Sequence, residues 1–188
     1  MSTVNSGAYP AREQAMVADI LQRPGFRALF SIPTLAWQEL AIVFSVYVVV
    51  VGGVYAQLTG WLPYPVYVVM AALAIYASFT PLHDATHRSV SSNKRINDAI
   101  GTVSAQLLVA GATTSLYRFL HLEHHRYTGN AERDPDEAMV SAPLWKRPFV
   151  IAFIDLHWVV WYIKNRHLRS SAEHGRAAVS ALINIGWN

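Results

Sequence analysis

The sequence predicts an all-α integral membrane protein: a transmembrane helical hairpin, re-entrant or interfacial helices, and a helical cap carrying histidine clusters on the cytoplasmic side. Three observations predict it. Hydrophobic residues make up 53% of the 188-residue chain and charged residues only 14%, against roughly 25% charged in soluble domains. The 44 residues 40–83, between Glu39 and Asp84, contain no Asp, Glu, Lys or Arg. Five of the eight histidines fall into two compact clusters beside apolar segments. A bilayer crossing needs about 20 mainly apolar residues, so the uncharged run is long enough for two. This composition excludes a disordered chain, a coiled coil and an ordinary soluble domain. The net charge of +3 is too small to argue for a nucleic-acid partner. Without cysteine the chain has no disulfide, thiolate metal site or cysteine nucleophile, so any metal chemistry must use imidazole and oxygen.

Residues 1–39 form a cytoplasmic or interfacial N-terminal segment. Within it, 11–22 is amphipathic: Met16, Val17, Ile20 and Leu21 share one face, while Arg12, Glu13, Asp19 and Gln22 point elsewhere. Pro24 and Gly25 end this helix. It either lies in the membrane interface or packs, solvated, on the body. No signal peptide is expected in these residues, because the first 27 lack an apolar core behind a basic start.

Residues 40–82 form the hairpin. The first arm, 40–58, has 19 residues and would rise about 28 Å as a helix. Trp61, Pro63, Tyr64 and Pro65 make an aromatic turn suited to a bilayer surface, and the second arm is 66–82. Arg12, Arg23 and Arg27 precede the arms, Arg88, Lys94 and Arg95 follow them, and the turn has no basic residue. The positive-inside rule places both ends in the cytoplasm.

Residues 83–176 form the cytoplasmic and interfacial region with the histidines. Within it 99–117 is uncharged but rich in Gly, Ser and Thr, while 148–163 is apolar apart from Asp155 and His157. Residues 177–188 begin a further apolar segment of 12 residues, too few to cross a bilayer.

His83 and His87 stand four apart in HDATH, and His121, His124 and His125 lie together in HLEHH. Offsets of three and four put imidazoles on one helical face, about 5 to 6 Å apart at Cβ. A lone histidine is more often a packed or surface residue than a ligand; two such clusters point to metal. Imidazole suits zinc, copper, iron and nickel rather than magnesium or calcium. Five ligands exceed what one tetrahedral zinc takes, so two metals sharing the clusters is the economical reading. The clusters must then meet on one side of the membrane. A single crossing by 99–117 would separate them and two crossings would need about 40 residues, so this segment should be a re-entrant or interfacial hairpin.

HDATHRS (83–89) followed by HLEHHRYTGNAERDPDE (121–137) resembles the first two histidine boxes of the membrane fatty acid desaturase and hydroxylase superfamily, which includes bacterial acyl-lipid desaturases and carotenoid hydroxylases and ketolases. The similarity runs over 81–145, including NKRINDAIG and the DPD at 134–136, with the boxes 38 residues apart. The resemblance implies a centre of two non-haem iron ions at the cytoplasmic face. It implies O2 as co-substrate, an acyl-chain or carotenoid substrate in the lipid membrane, and an electron donor such as ferredoxin, cytochrome b5 or rubredoxin. By position, His83, His87, His121, His124 and His125 match iron ligands, and no catalytic residue beyond the ligands is implied. Asp84, Asp134 and Asp136 are expected to hold ligating imidazoles by their second N–H, while Glu123 is expected on a solvated face. The superfamily carries a third HxxHH box, absent here, so the chain is expected to be the N-terminal part of a longer desaturase-like enzyme. His157, in an apolar helix two residues after Asp155, is a further candidate ligand.

The leading functional expectation is an O2-dependent desaturase acting on lipid acyl chains. The alternative within the same chemistry is a carotenoid or other lipid hydroxylase or ketolase. A histidine-rich membrane metal transporter is a remote alternative, because it would place ligands within a span rather than at its end.

Overall fold

The computed structural model of the protein describes residues 11–26, 31–108, 112–168 and 175. Among them all regular structure is helical. The apolar segment expected at 177–188 lies outside the described residues.

Residues 1–32 and 33–188 form separate units. In the first, helix α1 (Ala11–Gln22) has the bounds its periodicity predicts. The Asp19–Arg23 pair at 2.8 Å closes it and Gly25, at φ 82°, turns the chain away.

In the second unit, α2 (Trp37–Leu58) is the first apolar arm and includes a π-helical stretch, Val48–Gly52. It begins three residues before the uncharged run, so Glu39 lies in its first turn. After the turn at Gly60, α3 (Tyr64–Ala77) starts with Pro65 in its first turn, where a missing N–H costs no helical bond. It continues past Ser78 into α4 (Phe79–Thr86), and the two form one apolar helical stretch of 23 residues, Tyr64–Thr86. The second arm is thus longer than the 66–82 read from sequence, because His83 and Asp84 are accommodated in its last turn.

Both arms are long and apolar enough to cross a membrane. Their surfaces match: Phe44, Leu58, Leu73 and Tyr76 are 66–77% exposed. In water, such contiguous apolar surface would be an aggregation liability; against acyl chains it costs nothing. The protein is therefore membrane-associated. The arms meet closely where α2 lacks a side chain: a Cβ on Gly53 would lie 2.8 Å from the Tyr67 ring. Small residues at such crossings are how bilayer helices approach each other. At the other end, 33–36 pairs with 90–92 through Ala36 N–H to Val90 O and Ser92 N–H to Pro33 O, both 2.8 Å, which ties the two arms together beside the histidines.

Helix α5 (Lys94–Ala105) is capped by Asn93, whose Oδ1 accepts from the N–H groups of Arg95 and Ile96. Helix α6 (Thr114–Tyr127) is capped by Thr113 through Leu116 N–H. The segment 99–117 is thus divided between two helices that pack together, as a hairpin requires. The Thr102 and Thr114 hydroxyls lie 3.2 Å apart across them. Helices α7 (Glu137–Ser141), α8 (Arg147–Ala152) and α9 (Ile154–Lys164) follow, α8 and α9 being parted at Phe153. Leu82, Ala105, Ala112 and Tyr117 form one buried cluster, backed by Leu108 and Trp158; Ala85, Val90 and Ile100 form another.

Candidate metal centre

Two helix ends make the site. His83 occupies the last turn of α4 and His87 is its C-cap. The end is closed by two reverse bonds, Arg88 N–H to Ala85 O at 3.1 Å and Ser89 N–H to Asp84 O at 3.0 Å. Arg88 is left-handed at φ 61°, the position where glycine is usual. Helix α6 carries the second cluster in its final turns. Packing α4 on α6 brings the two clusters together.

His83, His87, His121 and His125 converge, each offering a ring nitrogen within 4.8 Å of the others. His121 is the hub: its Nε2 lies 3.0 Å from Nε2 of His87 and 3.0 Å from Nε2 of His125. One ring nitrogen cannot satisfy two such neighbours by hydrogen bonding, since it holds either one proton or one lone pair. Two nitrogens each about 2.1 Å from one ion and at right angles to it would stand about 3.0 Å apart. The donor set therefore fits a transition metal, and its chemistry excludes oxygen-preferring ions. The electrostatics agree. Burial first, then the neighbouring imidazoles His125 and His83, lower the His121 pKa to about 3, and burial with His83 and His125 also lowers that of His87. Both rings are held neutral, as ligands must be.

His124 lies to one side. Its Nδ1 is 2.8 Å from Asp134 Oδ1 and 3.5 Å from Asp136 Oδ2, and its ring centroid is 5.7 Å from that of His125. Asp134 also accepts from the backbone N–H groups of Gly129 and Asp136, both at 2.8 Å. Burial pushes its carboxyl up, but the bonds from His124 and from those two amides outweigh this and leave it below the usual range. An ionised Asp134 taking Nδ1–H leaves His124 Nε2 with its lone pair. Asp84 stands in the same relation to His83, 3.2 Å from its Nδ1.

An aromatic wall backs the imidazoles. Tyr117 stacks on His121 with centroids 5.5 Å apart and planes 19° from parallel, and both Phe79 and Trp158 meet the Tyr117 ring edge-on. Burial, then the Asp136 charge, raises the Tyr117 pKa, so its hydroxyl stays protonated. Trp158 also donates its indole N–H to Asp136 at 2.7 Å, linking α9 to the His124 pair.

One expectation is corrected. Glu123 is not on a solvated face: it is 6% exposed and bridges Arg126 at 3.1 Å and Arg133 at 3.0 Å. Arg133 lies over the Tyr127 ring, so the carboxylate is enclosed by cations that make its burial tolerable. His157 is half-buried on α9 and joins neither donor group; the Asp155 side chain lies outside the described residues. Sequence reasoning missed Tyr117 and Trp158, and it missed Asn97, Asp98 and Arg118, which pack behind the clusters. NKRINDAIG lay within the resemblance, but Asn97 and Asp98 stand among several polar residues of an amphipathic helix, and nothing local shows which of them is buried.

An exposed apolar helical pair that ends in converging imidazoles defines a membrane-associated protein with a metal-competent histidine centre. The sequence signature of the fatty acid desaturase family matches residues 59–183, and the chain belongs to that family. It is 27% identical to an omega-6 fatty acid desaturase, chloroplastic, of Glycine max over 95% of this chain and 45% of that protein. It is 32% identical to an sn-1 acyl-lipid omega-3 desaturase (ferredoxin) of Nostoc sp. (strain 36) over 53% of this chain and 28% of that protein. It is 31% identical to a zeaxanthin 4-ketolase of Chlamydomonas reinhardtii over 42% of this chain and 18% of that protein. The chain thus spans less than half the length of these curated relatives. No solved structure matches it at a significant level.

Proposed function

We propose that the protein belongs to an O2-dependent non-haem di-iron oxidoreductase acting on lipid acyl chains, of desaturase type. The observation that carries this is the convergence of four imidazole nitrogens within 4.8 Å at the end of a helix apolar and long enough to cross a membrane. His83, His87, His121 and His125 would hold iron, and His124 would contribute through Nε2 to the second ion. What bound iron supplies is activation of O2 against an unactivated C–H bond. In desaturation, two hydrogens leave the acyl chain, and O2 is reduced to two waters with two further electrons and two protons.

The chain's own residues prepare this site. Asp84 and Asp134 take the Nδ1 protons of His83 and His124, which fixes ring orientation and leaves the opposite nitrogens free to ligate. Phe79 and Tyr117, which pack on His83 and His121, and Trp158 behind Tyr117 would limit water beside the imidazoles. The hairpin's apolar surface would bring the substrate to the site from the bilayer rather than from water. Basic residues at both ends of the hairpin favour a cytoplasmic N-terminus and cytoplasmic histidines. The electron donor would be a small carrier; the Nostoc relative is named for ferredoxin.

A second reading, hydroxylation or ketolation of a carotenoid, is favoured by the similarity to the zeaxanthin 4-ketolase. Metal analysis and lipid mass spectrometry test both readings. Membranes containing the protein should hold iron and form a new acyl double bond only with O2 and a reductant. An oxygenated carotenoid would select the second reading, and product formed without O2 would refute both.

A further inference from the structure

The clusters sit on different helices, and their register depends on groups that touch neither substrate nor any ligating nitrogen. Arg118 lies on α6, one turn before His121, and is only 8% exposed. Its Nε donates to Thr86 O at 2.9 Å; its Nη2 donates to Ala85 O at 2.7 Å and to Asp98 Oδ1 at 2.6 Å. The two carbonyls belong to the residues between His83 and His87. Asn97 reinforces the contact from α5: its Nδ2 donates to Ala85 O at 2.8 Å and to Asp98 Oδ1 at 3.0 Å, and its Oδ1 accepts from Val90 N–H at 3.2 Å. One guanidinium therefore joins the helix of the second cluster to the last carbonyls of the helix of the first, and α5 holds that guanidinium in place.

We propose that Arg118, supported by Asp98 and Asn97, is a positioning residue that sets the phase and distance between the two histidine clusters and so determines metal affinity. This rests on the reading of the imidazoles as ligands. A cation near a helix C-terminus is stabilising wherever it stands, and neutralising Asp98 needs only a charge. Bonds to two successive carbonyls do more, because they fix the rotation of α4 about its own axis. Metal–ligand distances tolerate about 0.2 Å, whereas slipping α4 by one residue moves His83 and His87 by about 1.5 Å along the axis. The planar fork of arginine makes these contacts in fixed geometry; a lysine ammonium is a point charge on a flexible stem and cannot.

The test is a titration of the detergent-solubilised chain with cobalt(II) alone, read by its visible d–d bands, with helix content followed by circular dichroism. Arg118→Lys keeps the charge and the pairing with Asp98, so it serves as the variant that folds; Arg118→Gln is the harsher companion. Both should keep the helix content and bind cobalt about 10- to 100-fold more weakly, the effect typical of residues that orient ligands, with shifted bands. A folded Arg118→Lys protein with wild-type affinity and band positions, even with a lower melting temperature, overturns the proposal and leaves Arg118 a purely structural residue. His121→Ala tests the underlying reading separately: if it binds cobalt as the wild type does, the histidine centre itself is wrong.

Discussion

The two halves of the Tyr64–Thr86 helix live by different rules. In α3 only Ala71 is buried, and Val69, Leu73 and Tyr76 are 59–77% exposed. In α4 Pro81, Leu82, Ala85 and Thr86 are all buried. Around α4 the interior is also polar: Asn97, Ser104 and Thr114 are fully enclosed and hydrogen-bonded, Ser104 to Ile100 O and Thr114 to Asp98 O. The outer half needs little from its neighbours because lipid is as apolar as its side chains. The inner half must hold imidazoles in register, and directional bonds do that where apolar packing alone would allow sliding. Position along one helix thus decides whether a residue matters to the fold.

Substitutions sharpen this contrast. The largest effect is expected at His121, the hub: His121→Ala should weaken iron(II) binding by more than about 100-fold, beyond the loss typical of residues that merely orient a ligand. Metal analysis after dialysis reads this directly, and retained stoichiometric iron would break the assignment of the inner half.

Next come packing changes that separate the halves. Leu82→Ala, at a side chain 2% exposed, should lower stability by about 2–5 kcal/mol, whereas Leu73→Ala, 66% exposed, should stay within about 0.5 kcal/mol. Unfolding in mixed micelles compares them, and equal losses would show that the halves do not differ. Gly101 belongs with Leu82. A Cβ there would lie 2.5 Å from Ala85 Cβ and 2.5 Å from Thr114 Oγ1, so Gly101→Ala should cost about 1–3 kcal/mol by forcing α4, α5 and α6 apart.

The smallest effect is electrostatic. Partial burial pushes the Asp98 carboxyl up, but hydrogen bonds from Arg118 and Asn97, with the charges of Arg118 and Arg88, outweigh it and leave its pKa lowered. A lowered carboxylate pKa contributes stability above its unfolded value, near 3.8, and loses it as pH falls through the folded value. Asp98→Asn should therefore be less stable than the wild type at pH 7, with the gap closing below about pH 4. A gap independent of pH would mean that the contact works through shape rather than charge.

Much of this protein was legible in its residues. The hairpin followed from the absence of charge over 40–83, because a bilayer imposes length and polarity directly on sequence. That the histidines of each cluster share a helical face followed from their i, i+3 and i+4 spacing, because helix geometry fixes which side chains lie together; that four of the five converge across two helices came only with the packing of those helices. Family membership followed from the same boxes and their trailing DPD.

What the sequence left open depends on neighbours distant along the chain. Nothing local distinguishes the burial of Glu123 from a solvated glutamate, since Arg133 reaches it only after the turn at Gly129 reverses the chain. Nothing local gives Arg118 its role, since its acceptors stand 20, 32 and 33 residues away. His124 had the spacing of its neighbours, yet only the tertiary structure set it against Asp134, apart from the four that converge. Periodicity reports the faces of a helix; which polar group on a face finds a partner is decided when three helices close around it, because an unpaired charge there would be too costly to bury.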